Sequence, residues 1–185
     1  METVETKRSP WPVALPLAVF GGVVGFLAFM LLQDDRDPSY LPSPLIGKAA
    51  PSLAGPSLLA DSPDVSNDLI GAGGPVLVNF FASWCLPCRV EHAVLSDLAA
   101  DAGLTVIGIN YKDDPEDGRA FLAELGNPYA AVVADQGGSL SIDWGVVALP
   151  ETFVVDGDGI IVYRHFGPIL PEQRDDLLQV VEDAS

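Results

Sequence analysis

Runs of apolar residues alternate with polar segments along the whole chain, and the length of these runs changes after the N-terminal region. Val13 to Leu32 contains twenty residues without a single charge. A helix of that length spans about 30 Å, the thickness of the hydrocarbon core of a bilayer. Beyond Pro75 the apolar runs become short and alternate with helix-like segments. The pattern predicts a membrane-spanning helix followed by an α/β domain.

The short continuous runs at 75–82 and 104–110 are typical of strands that are buried on both faces. Between them, Val94, Leu95 and Leu98 recur at helix spacing within 87–102. The remaining segments predict helix 115–125, strand 130–134, a helical turn at 138–144, a hairpin of strands 152–156 and 160–166, and a closing helix at 171–184. This order predicts a central mixed β-sheet flanked by helices, which resembles the thioredoxin fold.

The uncharged N-terminal run is open to two interpretations. A cleavable signal peptide usually has an apolar region of about 7–15 residues that ends in small residues, whereas this run is longer and ends in Phe-Met-Leu-Leu. These features favour a retained anchor. Lys7 and Arg8 precede it, so the positive-inside rule places the N-terminus in the cytoplasm and the domain outside. We therefore predict a single-pass inner-membrane protein whose domain faces the periplasm: residues 1–12 cytoplasmic, 13–32 the anchor, 33–51 a proline-rich linker, and 52–185 the thioredoxin-like domain.

The charge balance limits the classes of partner. The chain has 26 acidic and 9 basic residues, a net charge of −17. A field of that sign repels nucleic acid and anionic lipid, so we expect no nucleic-acid partner.

Cys85 and Cys88 are the two cysteines of the chain, in the sequence Trp-Cys-Leu-Pro-Cys. A metal site would need further ligands, and only His92 and His165 are available as histidines; we expect neither a metal nor another cofactor. A structural disulfide would close a loop too short to stabilise the fold much. Redox use fits best, because a Cys-x-x-Cys pair beside a βαβ pattern is typical of thiol-disulfide exchange.

The two cysteines are expected to differ in role. Cys85 falls where a strand has ended and a helix begins, so the helix N-terminus should stabilise its thiolate and leave it exposed as the nucleophile. Cys88 lies one turn further in and should act as the resolving thiol. Leu86 and Pro87 bring no positive charge between them, which favours a moderate, reducing thiol.

Three polar or aromatic residues, Glu91, Asn79 and Trp84, accompany the pair in the sequence. Glu91 lies on the apolar stripe of the helix, three residues after Cys88. Its burial would raise its pKa and suit it to accept the proton of Cys88. The alternative is a solvated carboxylate in the first turns of a helix. Asn79 interrupts an apolar strand and is expected to have a structural role. Trp84 either shields the disulfide or is an aromatic residue packed at the edge of the fold.

The segments around the pair carry a resemblance to a known family. They are the motifs CRVEH at 88–92, INYKDD at 109–114, GVVALPETFVVDGDG at 145–159 and YRHFGPI at 163–169. Together with the anchor, they resemble the CcmG/DsbE family of membrane-tethered thiol:disulfide interchange proteins of cytochrome c maturation, over roughly residues 40 to 184.

This resemblance implies a substrate-binding surface around Trp84, Leu149, Pro150 and Glu151. In the family, the proline at the position of Pro150 is cis and faces the cysteine pair, which exposes the backbone of Leu149 to an extended peptide. Glu151 would lie near the site and make it acidic. The chain departs from the family at Leu149, where a small residue is usual, and this affects the expected width of the groove.

The resemblance also implies a function. A redox-active Cys85–Cys88 pair would keep the haem-binding Cys-x-x-Cys-His cysteines of apocytochrome c reduced, with electrons arriving from a membrane thiol-electron transporter. The target could be apocytochrome c itself or a thiol protein of its maturation. Two alternatives remain: a general or differently targeted membrane-anchored reductase, and a metal-binding assembly module.

Overall fold

A computed structural model describes residues 11–32, 43–60, 62–101 and 104–185. The chain divides into two compact units, Met1–Pro38 and Ser39–Ser185. The predicted cytoplasmic residues 1–10, the linker residues 33–42 and the end of the second helix at Ala102 lie outside the described residues.

In the first unit, Trp11–Leu32 form helix α1. Its large apolar side chains are exposed, as in Phe20 at 69% and Leu15 at 65%. By length and hydropathy, the described residues contain no helix that qualifies as a membrane span, so the anchor stays a prediction.

The second unit is built on a five-stranded mixed sheet with the strand order β3-β2-β1-β4-β5. The elements are β1 (Val76–Phe81), α2 (Leu86–Asp101), β2 (Thr105–Tyr111), α3 (Pro115–Leu125), β3 (Ala131–Asp135), α4 (Ser139–Asp143), β4 (Glu151–Val155), β5 (Ile161–Phe166) and α5 (Arg174–Asp183). Strand β1 pairs parallel with β2 and antiparallel with β4. The predicted thioredoxin-like architecture is confirmed.

Strand β1 is the central strand of the sheet, and each of its six residues is buried. Successive side chains point to opposite faces of the sheet. Leu77 and Phe81 therefore join one core cluster, and Val78 and Phe80 join the other. The first cluster includes both cysteines and the apolar residues of α2, α3 and α5. Asn79 has the same parity as Leu77 and Phe81, and so lies on the face that α2 covers.

The second half of the predicted linker belongs to the folded domain, so placing the domain boundary at residue 52 is wrong. Ala49 forms a bridge with Ile160, and the amide of Ile161 donates to the carbonyl of Lys48 at 2.9 Å. The backbone at 47–50 satisfies groups at the start of β5, which would otherwise be an open sheet edge. Its proline and polar residues suggested a linker, and no periodic apolar pattern marks such an edge segment.

Candidate active site

The cysteine pair lies where β1 gives way to α2, as predicted. Cys85 and Cys88 form a disulfide with an S–S distance of 2.06 Å. The backbone N–H of Cys88 donates to Sγ of Cys85 at 3.2 Å. An unpaired amide at a helix N-terminus directed at this sulfur would stabilise a thiolate there once the disulfide is reduced.

The expectation that Cys85 is exposed is wrong for this oxidised form. Its exposed fraction is 4%, against 2% for Cys88. Both residues belong to the core cluster on the α2 face. The roles of nucleophile and resolving thiol therefore rest on the helix N-terminus and not on a difference in exposure.

Glu91 lies on the inner face of α2, in agreement with the stripe analysis, and its exposed fraction is 0%. Its Oε1 accepts from Nδ2 of Asn79 at 2.8 Å, and its Oε2 accepts from the backbone N–H of Ile169 at 3.1 Å. Burial raises the pKa of Glu91 to about 8, and the two hydrogen bonds oppose that rise. A carboxyl group with this pKa matches a thiol, whose ordinary pKa is about 8.5.

Glu91 belongs to a buried polar network that crosses the sheet. Asn79 pairs with Thr152 on β4 and with Gly108 on β2. The Nδ2 of Asn79 also donates to Oγ1 of Thr152 at 3.0 Å, and the hydroxyl of Tyr129 donates to Oδ1 of Asn79 at 2.8 Å. Asn79 was expected to have a structural role, and its partners Thr152 and Tyr129 were not predicted from the sequence. The asparagine in an otherwise apolar strand was the signal that could have led to these partners, because a buried amide needs hydrogen-bond partners.

A second network fixes the segment that leads into the pair. Asp113 accepts from the backbone N–H of Ser83 at 2.6 Å and from its hydroxyl at 2.7 Å. Asn110 donates to the same carboxylate at 2.8 Å. Asn110 and Asp113 belong to the INYKDD motif. The motif thus fixes the backbone immediately before Trp84.

Trp84 is exposed at 59% of its surface. Its Nε1–H donates to the carbonyl of Lys112 at 3.2 Å, and its ring lies 6.5 Å from that of Tyr111. Leu86, Val90 and Val147 are also exposed apolar residues, at 73%, 54% and 68%. Trp84 is thus held at the surface by the loop after β2 and is available for contact with another molecule.

The peptide bond between Leu149 and Pro150 is cis, as the resemblance implied. Leu149 is half-buried and packs against both core clusters, including the one that contains the cysteines. The leucine side chain, larger than the residue usual at this position, therefore packs against the core.

The expectation that Glu151 makes the site acidic is wrong. Its exposed fraction is 0%, and its Oε2 lies 2.6 Å from Nη2 of Arg164 in a buried ion pair. Its Oε1 accepts from the backbone N–H groups of Val147 at 2.9 Å and Ala148 at 3.1 Å. The carboxylate is neutralised by Arg164 on β5, and it anchors the loop that precedes Pro150. Its side chain is not placed to contact a substrate.

The two histidines do not converge on the cysteines. His92 is 3% exposed, and its Nε2 lies 2.9 Å from the carbonyl of Gly126; burial lowers its pKa. His165 lies on β5, opposite Thr152. In the part of the chain that the structure describes, no group of three or more His, Cys, Asp or Glu side chains could hold a metal ion.

Comparison with known proteins agrees with this geometry. The Redoxin family profile matches residues 45–181. The thiol:disulfide interchange protein HelX of Rhodobacter capsulatus is 47% identical over 155 residues, which cover 84% of this chain and 86% of HelX. The DsbE homolog of Paracoccus denitrificans is 45% identical and covers 85% of this chain and 86% of its own length. The chain belongs to the DsbE/HelX thiol:disulfide interchange family.

Solved structures of similar proteins share the same fold. A DsbE from Chlorobium tepidum superposes with a TM-score of 0.67 at 27% identity, over 75% of this chain and 96% of that one. The MTB DsbF structure, in mixed oxidised and reduced forms, superposes with a TM-score of 0.62 at 25% identity, over 74% of this chain and 96% of that one. This DsbE/HelX family member is a thiol-disulfide oxidoreductase with a Cys85–Cys88 disulfide.

Proposed function

We propose that this protein is a reductant in cytochrome c biogenesis that reopens the disulfide of haem-binding Cys-x-x-Cys-His segments. The observation that supports this most strongly is Glu91, a buried carboxyl group one helical turn beyond Cys88 whose pKa is raised to about 8. A reductant must deprotonate its second thiol in order to release its target. A carboxyl group with a pKa near the working pH is suited to that step.

The reaction begins when the thiolate of Cys85 attacks one sulfur of the target disulfide. A bond forms between Cys85 and that sulfur, the target S–S bond breaks, and the other target cysteine leaves as a thiolate that takes a proton from water. Cys88 then gives its proton to the Glu91 carboxylate and attacks Sγ of Cys85. The mixed disulfide breaks and the second target cysteine leaves as a thiolate. Two electrons have moved to the target, and the protein holds the Cys85–Cys88 disulfide.

A continuing supply of electrons requires a second dithiol partner. In our proposal this is a membrane thiol-electron transporter that reduces Cys85–Cys88 by the same exchange in reverse. Helix α1 would keep the domain beside that transporter at the outer face of the inner membrane. The exposed apolar side chains of α1 and the absence of charge from Val13 to Leu32 support a tether. A mature protein that begins near residue 33 would contradict it.

Trapping tests the target class. In Cys88→Ala the mixed disulfide on Cys85 cannot be resolved, so a captured target stays bound until a thiol reductant is added. Oxidised peptides that contain Cys-x-x-Cys-His should be captured faster than peptides with the histidine replaced or than an unrelated disulfide protein. Cys85→Ala is the matched control and should capture nothing.

The outcome of the trapping experiment also separates the alternatives. Equal capture of unrelated disulfides would indicate a general reductase on the same fold. Tight stoichiometric metal binding by the reduced pair, without disulfide exchange, would indicate the assembly module.

A further inference from the structure

The buried network around Glu91 contains a tyrosine that takes no part in the proposed exchange reaction. Tyr129 lies between α3 and β3 and is 6% exposed. Its ring stacks on Phe81 with centroids 4.9 Å apart. Its hydroxyl donates to Asn79 at 2.8 Å. The sequence pattern does not single it out, because it lies outside the predicted helices and strands.

The position of the Tyr129 ring over the sheet depends on the absence of a side chain at Gly108. A Cβ atom at position 108 would lie 2.9 Å from Cγ of Tyr129 and 3.0 Å from the ring of Phe81. Contacts that short require a neighbour to move. Gly108 is also the β2 residue directly opposite Asn79. The missing side chain at this position therefore leaves space for the tyrosine ring to lie over β2 and reach the amide.

The direction of each hydrogen bond follows from the chemistry of the groups. The hydroxyl of Tyr129 can donate only one hydrogen, and a carboxylate can only accept. If the hydroxyl donates to Oδ1 of Asn79, the NH₂ group of that amide must point the other way. There it meets Oε1 of Glu91 at 2.8 Å and Oγ1 of Thr152 at 3.0 Å. An amide turned over would present its carbonyl oxygen to Glu91, which would favour the protonated acid.

We propose that Tyr129 is a positioning residue for the proton acceptor: its hydroxyl fixes the orientation of the Asn79 amide, so that the amide donates to the carboxylate of Glu91. This inference rests on the proposed role of Glu91 in deprotonating Cys88. Tyr129 acts through its hydrogen bond to Asn79 and not on the reacting sulfurs.

The consequence is a limit on how far burial raises the pKa of Glu91. A hydrogen bond to the charged form of an acid lowers its pKa. Without the hydroxyl of Tyr129 the amide is free to turn, and the pKa should rise further above about 8. One net hydrogen bond corresponds to a shift of roughly 0.5–1 unit. Because the carboxylate is the proton acceptor, the rising limb of the exchange rate should move to higher pH by the same amount.

Other titratable groups face this network and could contribute to a pH profile. Cys88 and His92 face it from α2, and His165 faces it from β5 opposite Thr152. The ring of His92 lies 6.3 Å from that of Tyr129. The ionisation of Glu91 must therefore be observed directly and not only through the rate.

The test compares the oxidised full-length protein with Tyr129→Phe, and uses Tyr111→Phe, at the end of β2, as a matched control. The pKa of Glu91 is followed by NMR of its side-chain carboxyl carbon, assigned with Glu91→Gln. We expect an upward shift of about 0.5–1 unit in Tyr129→Phe and none in Tyr111→Phe. In an Asn79→Ala background, Tyr129→Phe should produce no further shift. A change of less than 0.2 unit, or an equal shift in that background, would overturn the proposal.

Single-turnover exchange distinguishes this inference from the function on which it rests. A raised pKa of Glu91 together with a shifted rate profile supports both the positioning role of Tyr129 and the role of Glu91 as proton acceptor. A raised pKa with an unchanged profile keeps the positioning role and removes Glu91 from the reaction. Should Tyr129→Phe fail to fold, the wild-type protein decides: the side-chain amide protons of Asn79 should titrate with Glu91, and amide signals that stay constant from pH 6 to 10 would contradict the proposal.

Discussion

Replacement of Glu91 by Gln should change how the stability of the oxidised protein depends on pH. The carboxyl group is fully buried, and its pKa is raised from 4.5 to about 8. The folded state therefore holds this proton up to a higher pH than the unfolded state does. This contribution to stability is complete below pH 4.5 and is lost progressively as the pH rises through about 8.

The size of the effect follows from the difference between the two pKa values. A shift from 4.5 to about 8 at about 1.4 kcal/mol per unit gives a loss of roughly 5 kcal/mol, of which about 3 kcal/mol has occurred by pH 7. These values are of the same order as the whole stability of many domains. Glu91→Gln has the same shape and cannot ionise, so it should lack this slope and become more stable than the wild type at alkaline pH.

Urea unfolding of the oxidised full-length protein in a mild non-ionic detergent, measured from pH 4 to 10, gives the required free energies. Glu124→Gln is the matched control, because Glu124 is 60% exposed and pairs with Arg89 at the surface. Its effect should stay below about 1 kcal/mol and add little pH dependence. If wild type and Glu91→Gln show the same pH slope, the ionisation of Glu91 is not linked to folding and its buried, raised-pKa state is refuted.

Two further predictions concern the roles of the cysteines and the buried ion pair. In the reduced protein at neutral pH, an alkylating reagent should modify Cys85 before Cys88, because a helix-terminal N–H points at Cys85; preferential labelling of Cys88 would reverse the roles. Arg164→Met leaves the carboxylate of Glu151 buried and without its ion-pair partner. The free energy of unfolding at pH 7 should therefore fall by about 3–5 kcal/mol. A loss below about 1 kcal/mol would mean that this ion pair contributes little to stability.

The parts of the fold that were predicted correctly are those where a local signal determines the structure. Helix α3 has the predicted bounds, Pro115–Leu125, because Asp114 caps its first turn through the amide of Glu116 and proline occupies the first position. The strands β1 and β2 follow from continuous apolar runs. The inward position of Glu91 follows from helix spacing alone.

The parts that were missed depend on which residues the sheet brings together. Tyr129 and Asn79 are fifty positions apart, and no local pattern pairs them. The ion pair of Glu151 with Arg164 depends on the register between β4 and β5, which contains an irregularity at Val154 and Val155. Glu151 was therefore expected to lie at the substrate-binding surface, and its ion pair with Arg164 on the next strand was not predicted.

The central claim is that the carboxylate of Glu91 accepts the proton of Cys88 as the mixed disulfide is resolved. Stopped-flow reduction of an oxidised Cys-x-x-Cys-His peptide by the reduced protein, in single turnovers from pH 6 to 9, measures this step most directly. Glu91→Gln should slow it by about 10²-fold, near the lower end of the range for general-base groups, while Glu124→Gln leaves it unchanged. Equal rates for wild type and Glu91→Gln across this pH range would contradict the claim.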